Sequence, residues 1–326
     1  CRRAWAALFG VIGFHYIAAP AGLKDEPVLP ALNRLLRLLR SSAPAAAACL
    51  LAVFVADGTH EASAQGRLDA EYVATVSGLQ VGHGSWTVEI SDRAYTAAAS
   101  GATAGLLKIL SGARGSGASR GAMSAAGPVP TSYEATIVDD RHVDQVQIAL
   151  AGGNVTEFSA EPPLLPLPER IPVSDADRRG VVDPMTSALS RVAGNGDPIG
   201  PAACQRKVAV FDGRVRYDLH SEFKRIEPVK AERGYEGPAV VCALYFRPIS
   251  GYVPDRPAVR YLVELRDAEV WLAPIAGTRV LAPFRVEMPT PLGQGVLQAK
   301  QFVTTAQPTQ AAAKSRETSG RFDALR

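Results

Sequence analysis

Histidine is scarce in this chain, five in 326 residues. The three that follow Gln65, namely His83, His142 and His220, stand far from one another and from any cysteine, so no zinc-ligand spacing exists and no metal is expected. Cysteine is scarcer still. Of four, only Cys204 and Cys242 lie beyond residue 64, and there is no C-x-x-C, which argues against a thiol redox centre. No charge of one sign dominates: setting residues 1–64 aside leaves 29 basic against 28 acidic residues, and that balance excludes a nucleic-acid footprint. Phosphate loops, dinucleotide fingerprints and paired-carboxylate motifs are missing, so no cofactor is expected and no residue is assigned a catalytic role.

What is present begins with an export pattern. Arg34, Arg37 and Arg40 make a basic region, Ala43 to Ala56 an apolar run, and Ala62-Ser63-Ala64 a small-x-small site. That order predicts a cleaved signal peptide within an N-terminal extension over residues 1–64, with cleavage before Gln65 and a periplasmic destination. The competing expectations are a membrane anchor built on Ala4 to Leu23 and a lipidated Cys1.

After Gln65 the chain reads as strand after strand. Tyr72, Ala74 and Val76 share one face of a first strand; Trp86, Val88 and Ile90 share one face of a second, across a turn placed near Gly78 to Gly84. Tyr95 to Ser100 follows, then Ala104 to Leu110, too short and too apolar to assign by period. Thr131 to Asp139 and Val143 to Leu150 form a further pair joined through Asp140-Arg141-His142, with Val146, Ile148 and Leu150 inward. Gly152-Gly153-Asn154 then turns the chain into Val155 to Ala160. Gly117-Ala118-Ser119-Arg120-Gly121 fits the G-x-S-x-G pattern of serine hydrolases, but neither a buried strand before it nor a helix after it is visible. Ser119 is therefore expected in a small-residue strand and not as a nucleophile.

Glu161 to Pro172 holds five prolines in twelve residues, which excludes both helix and central strand and predicts an extended connector. Asp183 as N-cap and Pro184 at N1 predict a helix from Pro184 to about Val192, with Met185, Leu189 and Val192 on its packed face. Connector and helix (161–199) join two strand-rich halves, 65–160 and 200–305, of one domain. Residues 306–326 are polar and aperiodic and are expected to be disordered.

The second half is organised around Cys204 to Cys242. Asp212-Gly213 predicts a tight type I′ hairpin, followed by alternation of Val215, Tyr217, Leu219 and Phe223 against Arg214, Arg216, Asp218, His220, Glu222 and Lys224. An even cysteine pair in an exported chain predicts a Cys204–Cys242 disulfide, which on the chain-entropy view would contribute roughly 4 kcal/mol for a loop of this length. Ala239 to Arg247 is apolar on both faces. Val259 to Arg266 reads as a strand alternating through Val259, Tyr261, Val263 and Leu265; Glu269 to Ala273 carries Trp271; Arg279 to Met288 turns Val280, Phe284, Val286 and Met288 inward.

The runs Gly180-Val181-Val182-Asp183-Pro184, Val208 to Leu219 after Cys204, Gly234 to Pro238 before Cys242, and Tyr245 to Gly251 resemble an exported proteobacterial family known as domain of unknown function 3108 (DUF3108), over about residues 71–303. That resemblance implies a curled antiparallel sheet or open barrel, all-β apart from one or two short helices, reminiscent of lipoprotein-carrier folds. It carries no catalytic residues with it. The expectation is a non-catalytic envelope protein whose sheet binds an amphiphile such as a lipid or lipoprotein, or an envelope partner, with peripheral membrane contact and no nucleic acid. Tyr217, Leu219, Phe223, Trp271 and Phe284 are the candidate ligand-facing side chains, Val263 beside them. The rivals are an envelope hydrolase using Asp183, Asp218 or His220, and a purely structural scaffold.

Overall fold

The computed structural model describes residues 65–105, 112–139, 142–164 and 166–306. The signal-peptide reading, most of Ala104 to Leu110, the centre of the Asp140–His142 turn and the tail beyond Ala306 fall outside these residues. The strands, in chain order, are β1 (Gly66–Val76), β2 (Leu79–Ile90), β3 (Ala94–Thr103), β4 (Arg114–Ser124), β5 (Gly127–Val138), β6 (Val143–Ala151), β7 (Asn154–Glu161), β8 (Ser190–Arg191), β9 (Arg206–Phe211), β10 (Arg216–Lys230), β11 (Arg233–Gly234), β12 (Glu236–Ser250), β13 (Glu269–Pro274), β14 (Val280–Thr290) and β15 (Gly293–Ala306). Two helices, α1 (Pro184–Ser187) and α2 (Pro257–Glu264), interrupt them.

All fifteen strands belong to one mainly antiparallel sheet, with the path β7-β6-β5-β4-β3-β2-β1-β15-β14-β13-β12-β10-β9. The two halves meet where β1 pairs with β15, Gly66 opposite Ala306 and Val76 opposite Gly295. Hairpin connections explain the order on either side, since antiparallel neighbours need only short turns. The sheet is open: its ends, β7 and β9, do not pair with each other. Beyond Gln298, β14 diverges from β15 to pair with β8, and β11, at the tip of the β10–β12 hairpin, takes its place in parallel against Gln301 and Phe302. Tyr235 follows that tip and stacks on Phe284 and Phe302, at ring separations of 6.4 and 6.0 Å.

One face of the sheet holds the core. Leu68, Tyr72, Trp86, Val88, Ile90, Val146 and Ile148 meet Val270, Val286, Leu297 and Phe302 there, and Met185, Leu189 and Val192 of the connector fill the space between them. The alternation expected for β1, β2, β6 and β14 is the alternation found.

Four local expectations are corrected. The first turn is Ser77-Gly78, with φ of 49° and 79°, and the glycines at 82 and 84 lie inside β2. Helix α1 stops after Ser187, because the edge of β14 offers backbone partners to Ser190 and Arg191. Val259 to Arg266 is not a strand; it lies mostly in α2, whose Val259 and Leu262 are buried while Val263 is exposed. Pro257 at N1 and a spacing of three between the buried residues favour the helix, and short apolar runs fit both periods. Finally, no two-residue turn sits at Asp212-Gly213. Asp212 Oδ1 instead accepts from the amides of Arg214 and Val215, at 2.8 and 2.7 Å, which makes a wider loop.

Candidate functional site

The open ends of the sheet approach each other along a seam, and the chain's most chemically distinctive side chains gather there. Phe158 of β7 meets Phe211 of β9 edge-on at 5.6 Å. Between these edges runs Val181-Val182: Val181 N donates to Gly153 O, Val182 N to Ala209 O, and Phe211 N to Val182 O, at 2.7, 2.9 and 3.0 Å. The connector thus supplies the backbone hydrogen bonds that β7 and β9 do not give each other.

Asp183 follows at once and anchors the connector under the sheet. Its Oδ1 accepts from the amides of Met185 and Thr186, both at 2.9 Å, which is the cap its sequence position predicts. Its Oδ2 accepts from the Ser119 hydroxyl at 3.0 Å and from the Thr186 hydroxyl. Tyr95 completes the cluster, 2.5 Å from Thr186 Oγ1 and 3.2 Å from Ser119 Oγ. Burial pushes the Asp183 carboxyl up, with these donors opposing it. Ser119 is therefore a buried partner of a helix cap; no histidine takes part in the cluster's hydrogen bonds.

A second knot ties the β9–β10 loop to β6. Gly213, at φ +93°, lies so close to Val146 that an added Cβ would come within 2.5 Å of its Cγ1. The Arg214 guanidinium donates to the Asp144 carboxylate, and to Pro162 O at 2.8 Å and Glu161 O at 3.2 Å. Asp212 is fully buried, with Oδ2 unpartnered in the structure. Burial pushes its carboxyl up to about 7, against the donation of the two loop amides, and pushes Asp144 up to about 6, outweighing the neighbouring Arg214.

Where the seam widens it leaves a cleft of about 270 Å³, just under the usual range of ligand cavities. Phe158, Phe211, Leu164 and Val173 supply apolar walls, and Arg170 and Arg214 line it with guanidinium groups. Arg170 is half-buried and donates to Gly251 O at 2.6 Å, while its Nε is buried without a partner. It makes no ion pair among the described residues. Burial and the nearby Arg256 cation both act to lower its pKa. The lining thus sets guanidinium donors beside aromatic and aliphatic walls.

The five side chains singled out from sequence do not gather in one place; only Tyr217 and Leu219 share a cluster. Tyr217 and Leu219 pack with Val210 and Phe246 in a small second cluster. Phe223, opposite Cys242, lies at the margin of the core and is exposed. Phe284 is buried among Phe302 and Tyr235. Trp271 pairs in register with Arg285, on the face opposite Val270; Arg225 and Arg285 cover its ring at 5.5 and 5.2 Å, and its Nε1 donates to Glu227 at 2.7 Å. None of the five lines the seam cleft. Asp218 pairs with Arg216 at 2.7 Å and His220 lies 3.8 Å from Glu222. Cys204 and Cys242 are joined, with Cα atoms 5.4 Å apart.

Sequence reasoning passed over Phe158, Arg170 and Arg214 as cleft residues. The signal in the sequence is that the extended connector carries Leu164 and Ile171, with Val173 just after it, apolar residues in a segment with no strand or helix of its own to bury them.

No curated protein and no solved structure matches the chain. A family model described as protein of unknown function (DUF3108) matches residues 71–300, close to the limits set by the sequence motifs. Three of the four motif runs meet at the seam, where Gly180–Pro184 bridges its edges, Phe211–Arg214 forms its second knot and Gly251 receives Arg170, whereas Gly234–Pro238 lies against β15. The chain belongs to the DUF3108 family.

Proposed function

We propose that this chain is an exported, non-catalytic protein of the periplasm that binds an amphiphile with an acidic head group in the seam cleft. The observation that carries the reading is the pairing of apolar walls, Phe158 and Phe211 foremost, with the uncompensated guanidinium of Arg170. Export is supported by the Cys204–Cys242 disulfide, a bond that persists in oxidising compartments. Among the described residues no helix is long and apolar enough to cross a membrane.

The ligand surface is placed at the seam and not on the sheet's inner face because Met185, Leu189 and Val192 occupy that face. Binding is favoured over hydrolysis because the buried Asp183 carboxylate is already engaged by four donors and lies sealed beneath the sheet. A native mass spectrum of protein taken from the periplasm tests the reading. An adduct with the mass of a fatty acid or acidic lipid, lost in Phe158→Ala, is the expected result; an adduct equally abundant in Phe158→Ala would refute the site.

A further inference from the structure

The described residues include seven large apolar side chains left exposed, and the three most exposed are Leu79 (67%), Leu292 (52%) and Val143 (51%). All three sit at one end of the sheet. Leu79 follows the β1–β2 turn, Leu292 lies in the β14–β15 turn and Val143 follows the β5–β6 turn, and the antiparallel order puts these turns on the same rim. Two of the tips are locked together: Ser77 N donates to Gln294 O at 2.9 Å and Ser77 Oγ to Leu292 O at 2.6 Å. Leu79 and Leu292 are thus presented from one hydrogen-bonded unit.

From this placement we propose that the rim docks on a lipid bilayer, with Leu79 and Leu292 entering the interface and Val143 as a shallower third contact. The chain from Val76 to Gln80 and from Pro289 to Gln294 carries no charged side chain, so entry desolvates no ion. A protein partner would need a contiguous, shape-matched patch, whereas the membrane interface takes in separate apolar side chains. The β5–β6 turn carries Asp139, Asp140, Arg141 and His142 in sequence, so it belongs at head-group depth. Arg214 in the cleft wall pairs with Asp144, the neighbour of Val143, so the cleft adjoins this rim. The docking does not depend on the cleft having a ligand.

Tryptophan quenching by brominated phosphatidylcholine vesicles, with the full chain, tests the docking. A Leu79→Trp variant should be quenched beyond the wild-type background, whereas Ile226→Trp, exposed elsewhere on β10, should not. Adding Leu292→Ser to Leu79→Trp should cut the extra quenching at least ~3-fold, by removing apolar area from the same unit. Quenching should persist at raised salt and without anionic lipid. Equal quenching at positions 79 and 226, no effect of Leu292→Ser, or a requirement for anionic lipid would each overturn the proposal.

Discussion

The guanidinium of Arg214, on the loop between β9 and β10, donates to the carboxylate of Asp144 on β6, and so ties together the two parts of the sheet that share no strand pairing. Arg214 is only 5% exposed, and its remaining donations go to backbone carbonyls at the start of the connector. One side chain thus adds three partners from two segments to the backbone bridge of Val181 and Val182.

Removing that side chain should open the seam. Breaking a buried pair strands the opposite charge and typically costs about 3–5 kcal/mol. Arg214→Met is expected to lower stability by about 3 kcal/mol in denaturant titration, with faster amide exchange at Val181 and Val182 than elsewhere in the sheet. A loss below about 0.5 kcal/mol would mean that the backbone bridge alone holds the edges.

Asp183 offers a graded test. Asp183→Ala removes a cap and takes the shared acceptor from the buried Ser119 and Thr186 hydroxyls, which keep only each other and Tyr95 as partners, at a cost of roughly 3 kcal/mol. Asp183→Asn keeps an acceptor for the Met185 and Thr186 amides, and the hydroxyls can turn to accept from the new amide. It should lose about a third as much. Equal losses in the two variants would contradict the assignment of Asp183 as a cap, and thermal or urea unfolding distinguishes them.

The buried carboxyls set a pH dependence. Asp212 has a folded-state pKa raised from 3.8 to about 7, so the native state holds this proton more tightly than the unfolded chain does. Its favourable contribution is complete in acid and declines as pH rises through that interval; Asp144, raised to about 6, acts in the same direction. The lowered carboxyls Asp69, Asp177, Glu227 and Glu269 oppose this only below their ordinary range. Stability should fall between pH 5 and 7.5, and Asp212→Asn should flatten the slope while preserving the loop's Oδ1 acceptor. An unchanged slope in that variant would disprove the role of Asp212.

Much of this fold was legible because alternation survives wherever one face is buried. Trp86, Val88 and Ile90, and Val146, Ile148 and Leu150, point where their spacing says. Trp271 could not be placed that way: β13 is buried on both faces, so the run Val270-Trp271-Leu272 holds no period to read. The α2 segment alternates like a strand in sequence, and Pro257 is the sequence feature that tips it to a helix. The seam was hidden for another reason. Asp144, Phe158, Arg170, Asp183 and Arg214 come from distant segments, and each has a sufficient local explanation as turn, strand, connector or cap. Their meeting is a property of the sheet's path, which pairs β1 with β15 and leaves β7 and β9 to be bridged by the connector.

The proposed ligand meets the cleft with its acidic head at Arg170 and its apolar tail at Phe158. Calorimetric titration with laurate and with dodecanol separates the two contributions most directly. Wild type should bind laurate at least ~10-fold tighter than dodecanol, because a charge-assisted hydrogen bond is worth roughly 1.5–3 kcal/mol. Arg170→Gln should erase that preference while leaving dodecanol affinity nearly unchanged. Equal affinity of the wild type for acid and alcohol, or a preference that survives Arg170→Gln, would contradict the account.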